Sequence, residues 1–157
     1  MKDPPMSAPS ASELTSHLGY WLSYVSNHVS HSFARKVAAK DVTVAEWALM
    51  RTLYTSDHVA PSAIAATMGM TRGAITKLAD RLITKGLLLR TADLEDGRAQ
   101  TLALTKSARM LVPELAALAD QNDAEFFDHL TFAERSTLER LLKEIVARRS
   151  LSTMPID

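Results

Sequence analysis

The chain has 157 residues, 46% of them hydrophobic, and its 18 lysines and arginines balance 18 aspartates and glutamates to a formal net charge of zero. That length fits one domain, or one domain with an assembly element, and the apolar content is ample for a core. The absence of cysteine excludes disulfides, thiolate metal sites and cysteine-based redox sensing, and the lack of a signal-peptide core or of a membrane-spanning apolar run points to the cytoplasm.

Residues 1–11, opening Met-Lys-Asp-Pro-Pro, lack apolar periodicity and read as a mobile tail. Over residues 12–40, Leu14, Leu18, Leu22, Val25, Val29, Phe33 and Val37 recur at three- or four-residue intervals. This predicts one amphipathic dimerisation helix of about seven turns. It carries Trp21, Tyr24, His28 and His31. The two histidines stand three apart with no evident third ligand, so they read as exposed side chains rather than a metal site.

Residues 41–105 form the central unit. Thr43-Val44-Ala45-Glu46 is a capping box that starts a helix, with Val42 and Trp47 at the two positions of a hydrophobic staple. Ile64 to Leu78 then suits two short helices crossing at a tight turn. Ile64, Met68, Ile75 and Leu78 supply apolar positions, Ala65 allows close packing, and Gly69 can take the positive φ the turn needs. Thr71 can cap the second helix. Its outward residues are Arg72, Gly73, Thr76, Lys77 and Arg81, donor-rich and suited to phosphates and base edges. Lys85 and Gly86 fit its C-terminal end.

Leu87 to Ala92 and Thr101 to Thr105 read as two strands with a polar connection containing Asp96-Gly97-Arg98. A hairpin directly behind a DNA-reading helix makes a wing. In that arrangement Arg98 enters the minor groove, oriented by the Asp96 carboxylate. Arg72, Thr76 and Lys77 face the major groove, and Thr71 and Arg81 help fix phosphates.

Residues 106–150 read as two further dimerisation helices. The first runs from about Lys106 to Asp128, where Pro113 predicts a kink or a late helix start. Thr131-Phe132-Ala133-Glu134 is a second capping box, followed by an apolar stripe of Leu138, Leu141, Leu142 and Ile145. Residues 151–157 are a tail. Between Arg72 and Arg109 there are eight basic and four acidic residues, so the proposed reading head is positive while the remainder of the chain is negative. The terminal helices offer more apolar surface than the small central unit can cover. This predicts a twofold dimer reading a pseudo-palindromic operator in double-stranded DNA.

The run Thr76-Lys77-Leu78-Ala79-Asp80-Arg81-Leu82-Ile83-Thr84-Lys85-Gly86-Leu87, with Asp96-Gly97-Arg98 and Leu102-Ala103-Leu104-Thr105, agrees in order and spacing with a known pattern. The chain resembles the MarR (multiple antibiotic resistance regulator) family from about Glu13 to Arg149, although Ser107-Ala108 stands where many members carry Lys-Gly. The resemblance implies a mainly α fold with a small β-hairpin wing: a winged helix-turn-helix with long N- and C-terminal dimerisation helices that interleave. It also implies a transcriptional regulator, most often a repressor, released from its operator by a small aromatic or phenolic ligand. Candidate ligand contacts are Trp21, His28, His31, Trp47 and Arg51, with Tyr24 and Tyr54 nearby; Arg51 is the group to meet a carboxylate. Core or dimer packing is the alternative for the aromatic residues.

Two other readings stand beside this one. A winged helix can dock on protein instead of DNA. An enzyme built around the histidines finds no nucleophile-base pair, phosphate loop or paired carboxylates in the sequence, and no cofactor motif is present.

Overall fold

A computed structural model describes residues 9–56, 58–92, 95 and 99–151. A 3-10 turn at Leu14–Ser16 leads into α1 (Leu18–Ala38), α2 (Val44–Tyr54), α3 (Pro61–Met68) and α4 (Arg72–Thr84). The hairpin β1 (Leu88–Ala92) and β2 (Gln100–Leu104) follows, then α5 (Lys106–Phe127) and α6 (Phe132–Arg148).

The N-terminal helix is shorter than the apolar spacing predicts. The backbone is extended at His17 (φ −92°, ψ 129°), so α1 starts at Leu18 and not at Leu14. Polar side chains around the break bond to the local backbone: the Ser16 hydroxyl donates to the Glu13 carbonyl at 2.7 Å, and His17 Nδ1 lies 3.1 Å from the Leu14 carbonyl oxygen. Such bonds compete with helix formation.

Both capping boxes form. The Thr43 hydroxyl accepts from the Glu46 N–H at 3.1 Å while the Glu46 carboxylate accepts from the Thr43 N–H at 3.0 Å. Thr131 and Glu134 make the same reciprocal pair at 3.2 and 3.1 Å. Thr105 caps α5 by accepting from the Ala108 N–H at 3.2 Å. This cap places the start of α5 ahead of Pro113, so the late start is ruled out; the proline lies on an exposed face of a continuous helix.

The core gathers Val37 from α1, Leu49, Met50 and Leu53 from α2, Ile64 from α3, and Ile75 and Leu82 from α4. Leu88 and Leu102 of the hairpin and Val112 and Leu115 of α5 complete it. In the antiparallel register Leu88 faces Leu104 and Arg90 faces Leu102. Leu88, Leu102 and Leu104 therefore share the core side of the hairpin, and Arg90 continues that side outward toward α4. Val59 adds a one-residue bridge to Leu102, with N–H to O distances of 3.0 and 2.8 Å.

One polar cluster fixes α1 against α5. The buried Asn122 donates from Nδ2 to the Val29 carbonyl at 3.1 Å. Its Oδ1 accepts from Lys36 Nζ at 3.0 Å, and Lys36 also reaches Ser32 Oγ at 2.9 Å and Glu125 Oε2 at 2.8 Å. Among the described residues no buried side-chain nitrogen or oxygen lacks a partner, and this cluster ties the two helices together.

The whole of α6 is exposed in a single chain, its stripe of Leu138, Leu141, Leu142, Ile145 and Val146 included. Leu14, Leu18, Trp21 and Leu22 are exposed in the same way at the other end of the chain. Among the described residues no helix is long and apolar enough to cross a membrane.

Candidate nucleic-acid interface

The turn between α3 and α4 is built on Gly69, which has φ 63° and ψ 31°. The Met70 N–H donates to the Ala65 carbonyl at 3.0 Å and the Gly69 N–H to Ala66 at 3.4 Å, the paired bonds of a Schellman motif. A residue with a Cβ would bear about 1–2 kcal/mol of strain in that left-handed conformation. Gly86, with φ 73°, closes α4 in the same manner through bonds from Leu87 to Leu82 (2.9 Å) and from Gly86 to Ile83 (3.0 Å). The first of these turns aims α4; the second releases the chain into β1.

α4 starts where Thr71 accepts from the Ala74 N–H at 3.1 Å. Ile75, Leu78, Ala79 and Leu82 are buried, and their spacing gives one apolar face. Arg72, Gly73, Thr76, Lys77, Asp80 and Arg81 are exposed along the other side. Among the described residues the side chains of Arg72 and Lys77 make no ion pair or hydrogen bond, so their charges remain available to a ligand. The Thr76 hydroxyl donates to the Arg72 carbonyl at 2.9 Å. Its proton is thereby used within the helix, and what it presents outward is a methyl group and an acceptor oxygen, a pair that fits a thymine methyl or a base-edge donor.

Other cations of this region are already engaged. Arg90 from β1 meets Asp80 at 2.8 Å, tying the wing base to α4. Lys85 Nζ donates to the Glu46 carboxylate at 2.9 Å and to the Asp41 carbonyl at 2.6 Å, and Arg81 Nε lies 3.5 Å from the same Glu46 carboxylate. The count of positive residues in the sequence therefore overstates the charge that α4 offers. The ion pairs of Asp80, Arg90 and Glu46 escaped the sequence reading because a carboxylate's partner across two elements leaves no local pattern.

A groove of about 450 Å³ runs between the start of α3, α4 and the wing base, bordered by Ser62, Arg72, Thr76, Asp80, Arg90 and Gln100. Asp96 and Arg98, assigned to the wing tip, lie outside the described residues.

The ligand candidates do not assemble into one cavity. Arg51 borders a cleft of about 480 Å³ with Thr52, Thr55, Ser56, Val59, Ile64 and Thr67, and Trp21, His28, His31 and Trp47 do not reach it. Trp47 packs half-buried against Phe33, ring centroids 6.4 Å apart. Trp21 is exposed on α1 and donates from Nε1 to the Thr15 carbonyl at 2.9 Å. His28 stacks near Tyr24 at 4.8 Å, and His31 is exposed on the same helix. Among the described residues no three His, Asp or Glu side chains are grouped to hold a metal ion.

Comparison with known proteins places this geometry. The sequence profile of the MarR family matches residues 42–99, the span from the start of α2 into the wing. The multiple antibiotic resistance protein MarR of Escherichia coli K12 is 27% identical over 107 residues, covering 68% of this chain and 74% of its own length. The fold matches S. aureus MepR in a DNA complex with a TM-score of 0.75 at 21% identity, over 84% of this chain and 98% of that one. It matches CouR from Rhodococcus jostii RHA1, bound to p-coumaroyl-CoA, with a TM-score of 0.71 at 23% identity, over 86% and 95%.

Proposed function

The chain belongs to the MarR family of winged-helix regulators, and from that premise we propose that it is a homodimeric, sequence-specific DNA-binding repressor. The observation that carries the reading is the exposed flank of α4, where the side chains of Arg72 and Lys77 stand without partners among the described residues, beside Gly73 and Thr76. A helix held by its apolar face, capped at its start and bearing unpaired cations outward, fits the major groove. In this reading Arg72, Thr76 and Lys77 meet base edges and adjacent phosphates, the Thr71 hydroxyl and the first-turn N–H groups face a phosphate, and Gly73 lets the backbone approach closely. Arg98, with Asp96 beside it in sequence, is assigned to the minor groove.

The dimer follows from the apolar surfaces of α1 and α6, which one chain leaves in water. Two copies joined there carry two α4 helices, matched to a pseudo-palindromic operator. A small aromatic or phenolic ligand is the proposed input, taken up between the dimer helices and the winged unit. The ligand-bound relative supports that class of input. Since Trp21, His28 and His31 lie on the α1 surface assigned to the dimer, any pocket they line is completed by the second copy.

Selection of bound fragments from a random duplex pool, with and without aromatic acids, tests the proposal. Enrichment of twofold-symmetric sequences, released by an aromatic acid, is the expected result. No enrichment and no salt-dependent binding to any duplex would contradict it and leave a protein-docking winged helix in its place.

A further inference from the structure

Lys77, Arg81 and Lys85 are spaced by four residues, so they form one cationic row along a flank of α4. Among the described residues only the first is unpaired. The other two converge on Glu46, whose side chain is 1% exposed. Its Oε2 accepts from the Thr43 N–H at 3.0 Å and from Lys85 Nζ at 2.9 Å, and its Oε1 faces Arg81 Nε at 3.5 Å. Helix capping needs only the first of these contacts, and a neutral glutamine would make it. A full negative charge, buried in the first turn of α2 and turned toward α4, is more than the cap requires.

The two cations differ in what else holds them. Lys85 also donates to the Asp41 carbonyl at 2.6 Å and is 27% exposed. Arg81 is 57% exposed and has no other partner among the described residues. Removing the Glu46 charge would leave Lys85 anchored and set Arg81 loose on the flank that continues from Lys77.

We propose that Glu46 is a positioning residue for specificity: it draws Arg81 back against α2 and so keeps a sequence-blind phosphate contact out of the interface. The proposal rests on the DNA-binding reading above and replaces the expectation that Arg81 fixes a phosphate, since its guanidinium faces Glu46. Phosphate contacts add affinity for every sequence alike, whereas base contacts add it for one. A regulator that holds back one arginine per protomer loses little operator discrimination and sheds non-specific binding.

The test is a titration of mixed-sequence duplex DNA over a series of salt concentrations, with thermal unfolding recorded in parallel. Glu46→Gln is expected to bind the mixed duplex about threefold to tenfold more tightly at low salt. The slope of log affinity against log salt should steepen by about 0.9 per protomer. In the double variant Glu46→Gln/Arg81→Gln that slope returns to the wild-type value; if it stays steep, Lys85 carries the gain and the assignment is overturned. Arg81→Gln alone, at an exposed position that folding tolerates, should change the wild-type slope by less than half that amount. A full loss of about 0.9 per protomer in this variant, or an unchanged slope in Glu46→Gln, overturns the proposal. A merely structural Glu46 would lower the melting temperature without steepening the slope. Wild-type protein that binds no duplex in a salt-dependent way overturns this inference together with the DNA-binding reading, whereas salt-dependent binding with an unmoved slope overturns this inference alone.

Discussion

Individual side chains divide here into those committed to the fold and those left for a ligand. Arg90, Lys85 and Arg81 each meet a carboxylate, while Arg72 and Lys77 of α4 meet none among the described residues. The identity of the two unpaired residues was legible in the sequence, because an amphipathic helix exposes the positions opposite its apolar stripe. Their distinction from Arg81 was not, since it depends on Glu46, thirty-odd residues earlier and on another helix. A second residue-scale consequence concerns pH. The hydrogen bond from Lys36, aided by one from Gln121, holds the Glu125 carboxyl below its ordinary value of 4.5. A depressed folded-state pKa means that this group stabilises the fold above the unfolded value, and that the contribution fades as pH falls through the folded one. Glu125→Gln is therefore expected to melt below wild type near neutral pH, with the difference closing under acid conditions below the carboxylate range. Melting curves at the two pH values check this; a difference that persists in acid would show that packing, not charge, is lost.

Elements followed their local signals wherever those signals involve the backbone itself. The capping boxes at Thr43 and Thr131 and the left-handed Gly69 and Gly86 all appear where the sequence puts them. Expectations missed where side chains compete with the backbone. Apolar spacing alone carried the first helix through His17, yet Ser16 and His17 bond to local carbonyls and end that turn. Of the kink or late helix start that Pro113 suggested, the late start is excluded, because the Thr105 cap starts α5 seven residues before it. Gly73 offers an element-scale prediction. It occupies the first turn of α4, and a Cβ built there meets nothing within 4 Å. Gly73→Ala should raise stability by a few tenths to about 1 kcal/mol, because the unfolded chain loses freedom. It should also weaken duplex binding several-fold, because the added methyl stands on the exposed flank where close approach is needed. Urea unfolding and a DNA titration measure the two effects; a stabilised variant that binds like wild type would remove Gly73 from the interface.

The molecule as a whole presents two surfaces that one chain does not explain, the cationic flank of α4 and the apolar faces of α1 and α6. A small winged unit was predictable because its core residues lie close together in sequence. How the terminal helices sit on a second copy was not, since that packing is between chains and leaves only an apolar stripe to read. Leu141→Glu puts a charge on the α6 stripe without touching the described core. Sedimentation should show the wild type as a dimer at micromolar concentration and the variant as a monomer with weakened operator binding; a variant that stays dimeric would move the interface elsewhere. The most direct measurement of the central claim is a hydroxyl-radical footprint on a duplex recovered from the random pool. Two protected patches related by a twofold axis and about 10 base pairs apart, both lost when Arg72 and Lys77 are replaced by alanine, are the predicted result. A footprint that survives both replacements, or a single patch with no twofold partner, would contradict it.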